Sequence, residues 1–575
     1  MTTVHPRSSR LDWVGPVGLD DAIVASLMGP GAPFEMLREP VLGVEMDVFA
    51  QRDRTLLATL EGAARRWPDR PYLIFPERTC AFGDVTIPVA AAARALRDRF
   101  GVTKGDRVAI AAANCLEYAV TTWAAMSLGA ITVALNGWWT APELVDGITL
   151  TRPRVIFADA RRAERLAGSP AGADLDVHLV EFDGQWWGDE DPALALPSVD
   201  LVEDDPYLIL FTSGTTGRAK GAVITHRGNI HFNLAMTLHP LLAMLRAGIN
   251  PGAGAEQPIM LGASPMFHIS GMTAQLIMGA ASGMGIVYPP PGRWDEEQHM
   301  RLTETHRVNR WSMVPTQLWR IVDHPRLKDY DLTSVRSVGG GGAVWPPELI
   351  RRVGERLPHL KLSFGLGYGM TETTGVGTSL GSTVLLEHLT SVGAPVPGGS
   401  VEIRDPITRA VLAEGEVGEI AMRTPCVFRG YWDNQRATDA VLDAGRWYHT
   451  GDFGFVRDGL LYLEGRRTDL IIRGGENVYP AEIENRLVEH DAVGDCAVVG
   501  SPHVQLGQEV VAFVELAPGA TVNEDQLRAF VGERLASFKV PSRVVVVDEL
   551  PRNATGKVVK ALLLEPTSRP GFVTE

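Results

Sequence analysis

Thr212-Ser213-Gly214-Thr215-Thr216-Gly217-Arg218-Ala219-Lys220-Gly221 follows directly on the apolar run Tyr207-Leu208-Ile209-Leu210-Phe211. The apolar run reads as a buried strand. Beyond it, Gly214, Gly217 and Gly221 let the backbone bend and approach a ligand. Hydroxyls and free amides supply donors, and Arg218 and Lys220 supply positive charge. That is the chemistry of a loop that holds phosphates. It is not a Walker A loop, which ends in Gly-Lys-Ser/Thr at the start of a helix; here Lys220 stands between Ala219 and Gly221. Taken alone, the cluster is also ordinary loop composition.

Further blocks follow in a fixed order. They are Pro265-Met266-Phe267-His268, Tyr368-Gly369-Met370-Thr371-Glu372, Tyr448-His449-Thr450-Gly451-Asp452 and Gly465-Arg466-Arg467-Thr468-Asp469. Gly474-Gly475-Glu476-Asn477-Val478-Tyr479-Pro480 and Asn553-Ala554-Thr555-Gly556-Lys557 close the set. Together with the first run, these blocks resemble the adenylate-forming enzymes: acyl-CoA synthetases, firefly luciferases and peptide-synthetase adenylation domains. The resemblance covers about residue 50 to the C-terminus. The chain departs from the family at Ala219, where proline usually precedes the lysine. It departs again at Thr468, where the family's hinge position usually holds aspartate or lysine.

At 575 residues the chain exceeds what one hydrophobic core supports. Apolar content of 45% and charged content of 21% are those of an ordinary folded protein. A net charge of −15 argues against nucleic acid as a partner, since no excess positive field is present to displace counterions. A nucleotide needs only a local cluster. Cys80, Cys115, Cys426 and Cys496 are far apart and show no zinc spacing, which fits free thiols in a reducing compartment. The N-terminus shows no secretory pattern. The most apolar stretch, 273–290, is interrupted by Gly279, Ser282, Gly283 and Gly285 and reads as buried strand and helix rather than a membrane span. These features predict a cytoplasmic protein without a transmembrane segment. Peripheral membrane contact through an acyl substrate stays open, as does a homo-oligomer.

Residues 1–50 read as an extension before the family core, with a short helix over 20–27. From 51 onward, helical stretches at 91–100 and 118–128 alternate with apolar strands at 107–112 and 131–135. That alternation predicts helix-covered parallel sheets. Over about 401–465, Gly-Glu and Asp-Gly turns predict a small antiparallel, barrel-like subdomain. The expected fold class is therefore α/β. A large N-terminal domain spans 51–465, a hinge 466–469, and a small α+β domain 470–575, the last expected from the resemblance to be mobile and to carry the catalytic lysine.

The resemblance implies a role for each matched position. Lys557 would contact the α-phosphate and the substrate carboxylate, where charge develops during adenylation. Thr371 would hydrogen-bond the α-phosphate. Glu372 would hold Mg²⁺, a hard cation that bridges phosphates. Thr212, Ser213, Gly214, Thr215, Thr216, Gly217 and Lys220 would hold the outer phosphates. Tyr368, with Gly369 and Met370, would face adenine beside Gly340, Gly341 and Gly342. Asp452 would accept from the ribose hydroxyls, with Arg466 as its partner. His268 would sit near the acyl carboxylate. Thr468 would mark the hinge, and Gly474, Gly475 and Glu476 would face CoA in a second domain pose. Thr371, Glu372 and His268 also have plainer readings: a Thr-Glu pair is common at helix starts, and His268 could be an ordinary core histidine.

The expected activity is an ATP-dependent acyl-CoA synthetase. A carboxylic acid, with a fatty acid as first choice, would become an acyl-adenylate and then an acyl-CoA, releasing pyrophosphate and AMP. ATP, Mg²⁺ and CoA are the expected cofactors and co-substrates. An acyl-AMP ligase loading a carrier protein is the alternative within the class. A non-catalytic nucleotide-binding sensor is the alternative outside it.

Overall fold

The computed structural model describes residues 8–14, 20–169, 172, 177–212, 219–246, 248, 256–341, 345–360, 364–381, 387–466, 469–473, 476–552 and 558–564. The fold is mixed α/β, a large part of helices and sheets followed by a small C-terminal part.

The apolar run of the opening motif is a strand, Pro206–Thr212. It lies in a seven-stranded sheet beside the parallel strands Ile131–Ala134, Arg107–Ala111 and Val155–Ala158. The strand Lys220–Thr225 returns antiparallel to it, with Thr212 and Lys220 in register, so the two ends of the phosphate-type run are held side by side. The short strand Gly430–Tyr431 pairs with Lys220–Thr225 on its other edge.

A second, fourteen-stranded sheet carries the parallel strands Gly285–Val287, Ile259–Leu261, Arg310–Ser312, Ser337–Gly340 and Phe364–Tyr368. It continues through antiparallel strands Thr378–Gly381, Ser391–Pro395, Leu460–Arg466, Tyr448–Arg457, Gly418–Arg423 and Ser400–Arg404. The β-rich stretch expected over about 401–465 is thus antiparallel, and it extends the large sheet rather than standing as a separate one.

Between the two sheets lie the helices Thr86–Phe100 and Leu116–Ser127. Both are buried through most of their length, which explains why Tyr118, Trp123 and Ala91 to Ala93 are fully covered. The stretch 273–290 forms a π-helix, Met272–Ile277, a helix, Met278–Ser282, and the strand Gly285–Val287. No helix among the described residues is long and apolar enough to cross a membrane.

The N-terminal segment is tied to the body. Its strand Arg10–Asp12 pairs with Ser400–Arg404 at the edge of the large sheet. Its hairpin Met36–Val41 and Val44–Phe49 stands near the buried Arg52, which is bonded to both Glu39 and Glu203. His226 and His231 are core residues. His226 accepts from the Leu56 N–H at 3.2 Å, and His231 meets the Pro397 carbonyl at 2.7 Å. Burial pushes each down to about 4, so both are neutral.

At the C-terminus a five-stranded sheet, including Val493–His503, Gly507–Leu516 and Arg543–Val547, packs against the helices Pro480–Leu487 and Glu524–Gly532. Leu527 and Val531, four residues apart on the helix Glu524–Gly532, are buried in its core.

Candidate functional site

The C-terminal ends of Ser337–Gly340 and Phe364–Tyr368 open on a cleft of about 3990 Å³. Pockets for one small ligand hold about 300–1,000 Å³, so this space is larger than a single binding site. Its walls include Pro480, Glu484 and Lys560 from the C-terminal part. Thr212, Lys220, His268, Gly340, Gly341, Tyr368, Gly369, Met370, Thr371, Glu372 and Asp452 all line it. Segments distant in sequence therefore converge on one surface, at strand ends where open α/β sheets bind ligands.

Tyr368 ends its strand, and its hydroxyl donates to Asp452 Oδ2 at 2.6 Å. Both residues are buried. Asp452 follows Gly451, whose φ of 73° lies in the left-handed region that glycine enters freely. Opposite Asp452 in the antiparallel register stands Arg466. The backbones of the two residues expected to serve the ribose are thus adjacent.

Thr371 and Glu372 occupy a single 3₁₀ turn, Thr371–Thr373. The turn is clamped on several sides. The Met370 N–H donates to Thr373 Oγ1 at 3.0 Å, and the Phe428 N–H donates to the Glu372 carbonyl at 2.8 Å. Thr374 then takes φ 54° and donates its hydroxyl to the Cys426 carbonyl at 2.6 Å. A threonine in the left-handed region costs strain that the surrounding bonds must hold. Glu372 is 7% exposed, and its Oε1 accepts from the Tyr431 hydroxyl at 2.7 Å.

Tyr431 was not marked by the sequence, because it belongs to none of the blocks. The pairing of Gly430–Tyr431 with the strand Lys220–Thr225 brings it to the site. Its ring lies 5.2 Å from Lys220 Nζ, a cation–π distance. Burial, helped by Glu372, pushes its hydroxyl pKa up, so it stays a proton donor. One tyrosine thus joins the lysine of the first motif to the glutamate of the Tyr368–Glu372 block. The only sequence signal was an aromatic between Gly430 and Trp432 just after the apolar Val427-Phe428.

Backbone space is tight at two of the glycines. A Cβ on Gly340 would lie 2.0 Å from the Met313 carbonyl oxygen, and one on Gly369 would lie 2.5 Å from Val376 Cα. Trp345, nearby in sequence, is fully buried in the core beneath Gly340. His268 caps the short helix Ile269–Gly271, its Nδ1 lying 2.9 Å from Ser270 Oγ and 3.3 Å from the Ser270 N–H it accepts. A neutral ring then carries its proton on Nε2.

Ser213, Gly214, Thr215, Thr216, Gly217, Gly342, Thr468, Gly474, Gly475 and Lys557 lie outside the described residues, as do the side chains of Arg466 and Glu476. The Glu476 backbone is in the strand Glu476–Val478, paired with Arg473. Among the described residues no three His, Cys, Asp or Glu side chains form a metal cluster. Glu372, a buried carboxylate on the cleft wall, still fits Mg²⁺. That ion is commonly bound by one or two carboxylates, with water and substrate phosphates completing its shell.

The sequence matches the AMP-binding enzyme model over residues 60–432 and the AMP-binding enzyme C-terminal domain over 482–557. It is 34% identical over 531 residues to the 3-[(3aS,4S,7aS)-7a-methyl-1,5-dioxo-octahydro-1H-inden-4-yl]propanoyl:CoA ligase of Mycobacterium tuberculosis, covering 89% of this chain and 99% of that protein. It is 30% identical over 551 residues to a long-chain-fatty-acid–CoA ligase of Bacillus subtilis, covering 89% and 94%. Among solved structures, the o-succinylbenzoate CoA synthetase of Bacillus subtilis in complex with its acyl-adenylate intermediate superposes with a TM-score of 0.75 at 28% identity, covering 91% of this chain and 100% of that one.

Proposed function

The chain belongs to the AMP-binding enzyme family, and from that premise we propose an AMP-forming acid–CoA ligase that works through an acyl-adenylate. The acid's carboxylate attacks the α-phosphorus of ATP and pyrophosphate leaves. The CoA thiol then attacks the acyl carbon and AMP leaves. The observation that carries this reading is the convergence of Tyr368–Asp452 and Lys220–Tyr431–Glu372 on one cleft wall. It offers an aromatic face and a carboxylate suited to a nucleoside, beside a cation and a carboxylate suited to its phosphates.

In this reading Asp452 and Arg466 hold the ribose, and Tyr368 packs on adenine beside Gly340 to Gly342. Lys220 and the run from Thr212 to Gly217 hold the outer phosphates. Thr371 donates to the α-phosphate and Lys557 supplies the charge that the transition state needs there. Glu372 would hold Mg²⁺, which neutralises phosphate charge when bound. Tyr431 orients Glu372 and packs against Lys220. His268 stands where the acid enters. Thr468 is the hinge, and Gly474, Gly475 and Glu476 face CoA after the small unit turns.

We take an elongated acid of fatty type as the substrate. The wall beside the nucleotide end is made of Ser312, Gly339, Gly365 and Gly367, which leave room for a long or bulky chain. The test is acid-dependent pyrophosphate and AMP release with ATP and Mg²⁺, with and without CoA, across straight-chain, branched and aromatic acids. Turnover that needs CoA supports the ligase. Adenylate formation that CoA does not discharge moves the reading to a carrier-protein ligase. Nucleotide binding without any pyrophosphate release moves it to a sensor.

A further inference from the structure

The strands Ile259–Leu261, Arg310–Ser312, Ser337–Gly340 and Phe364–Tyr368 run parallel, so register decides which side chains share a face. Leu261, Trp311, Val338 and Leu366 fall on one face and are buried in an apolar core under the helices Glu296–His306, Pro315–Val322 and Pro347–Arg356. The opposite face looks into the cleft. There Met260 stands beside Arg310, Arg310 beside Ser337, Ser312 beside Gly339, and Gly339 beside Gly365. Nearly all of this surface is glycine, serine and methionine. Arg310 is its one long charged side chain.

Arg310 stands at the far end of this face from the nucleotide. Its register partner Ser337 begins the strand that finishes at Gly340. Three residues of parallel strand span roughly 10 Å. An elongated acid with its reacting carboxyl at the nucleotide end would therefore lay its distal end against Arg310.

Arg165, Arg423, Arg446 and Arg310 each have a pKa lowered by desolvation. Three of these compensate. Arg165 donates to the Gly137 and Trp139 carbonyls, Arg446 donates to the Phe428 carbonyl, and the Arg423 guanidinium lies 4.8 Å from the Trp447 ring centroid. Arg310 is exposed on the cleft wall and has no hydrogen bond, ion pair or ring contact among the described residues. A guanidinium stays charged at any working pH and is costly to crowd with apolar groups unless it finds an anion. A plain hydrocarbon tail would press methylenes against it. A carboxylate would match its planar fork and take two hydrogen bonds.

We infer that the preferred acid carries a second, distal carboxylate, and that Arg310 reads it from the far end of the acyl face. The inference rests on the ligase reading above and narrows its substrate to α,ω-dicarboxylic or similarly carboxylated acids. Arg310 is then a specificity residue, taking no part in either chemical step.

The experiment measures AMP release with kcat and KM resolved, for the wild type, Arg310→Met and Arg310→Lys. The acids are matched pairs: nonanoic with nonanedioic acid, and 3-phenylpropanoic with 3-(4-carboxyphenyl)propanoic acid. In the wild type the diacid of at least one pair is preferred. Arg310→Met raises the diacid KM by about 10–100-fold, the loss expected for hydrogen bonds to a charged group, and improves the monoacid. Arg310→Lys restores part of the diacid preference. The inference is overturned if the wild type prefers the monoacids, or if Arg310→Met changes both members of a pair equally. It is overturned also if diacid preference survives in Arg310→Met. Monoacid turnover in those cases leaves the ligase reading standing. Absence of acid-dependent AMP release with every acid overturns both.

Discussion

The two ends of the cleft are built differently. At the end we assign to the nucleotide the polar groups are already matched within the protein: Tyr368 with Asp452, Tyr431 with Glu372, and Lys220 over the Tyr431 ring. At the distal end Arg310 stands on a surface of small residues with no partner among the described residues. The first arrangement holds side chains in place before a ligand arrives, so less ordering is lost on binding. The second leaves an exposed charge on the cleft wall whose partner must come from outside. A nucleotide end tied to one invariant ligand, and a distal end tuned to a particular acid, would differ in this way.

The largest effect that could break the comparison lies with Lys557. Removing it by Lys557→Ala should lower adenylate formation about 10²–10³-fold. Pyrophosphate exchange is the readout, and thioester formation from supplied acyl-adenylate should suffer less. If both half-reactions fall equally, the nucleotide end does not depend on this lysine in the way proposed.

Next is Asp452→Asn, which keeps an acceptor for the Tyr368 hydroxyl but removes the charge. It should raise KM for ATP about 10–100-fold, the loss expected for hydrogen bonds to a charged group, and leave the ratio between acids unchanged. A shift in acid preference would mean that the two ends are coupled.

Tyr431→Phe is expected to be milder. It leaves Glu372 without its buried donor, and turnover should fall about 3–10-fold with a higher Mg²⁺ requirement. Titrating Mg²⁺ in both proteins checks this. An unchanged Mg²⁺ requirement would separate Tyr431 from the metal role of Glu372.

The smallest effect concerns the strand Leu460–Arg466, against which the helix Pro480–Leu487 packs. Burial, with Glu482 nearby, raises the Glu464 carboxyl above its usual range, while Lys539 opposes the shift. A raised carboxyl favours its protonated form in the packed state. Packing should therefore tighten as pH falls through the raised value, and loosen as pH rises past it. Protection factors over 480–487, that is, exchange corrected for its intrinsic pH dependence, should rise slightly from pH 7 to pH 5, and Glu464→Gln should remove that rise. A lower protection factor at low pH would contradict the sign.

Much of the nucleotide end was legible because short blocks carry their own chemistry. Tyr368 and Asp452 were each marked by their block, and the structure adds only that they touch. The alternation of apolar strands with helices over 91–135 likewise announced a parallel sheet, and the helices and strands stand within a few residues of those stretches. Tyr431 escaped because its importance comes from a strand pairing across two hundred positions, between Ala222 and itself. Arg310 escaped for a different reason. The alternation Arg310-Trp311-Ser312 places Arg310 and Ser312 on one face, but nothing in three residues says that this face lines a cleft.

The sequence by itself determined the family, the order of the strands' apolar segments and the residue types available for phosphate, ribose and carboxylate. Each of these is local, fixed by composition and spacing along the chain. Only the tertiary structure decided which polar groups neutralise one another and which remain open. That depends on sheet order and register: parallel neighbours such as Arg310–Ser312 and Ser337–Gly340 are joined by crossovers, which bring side chains far apart in sequence onto one face.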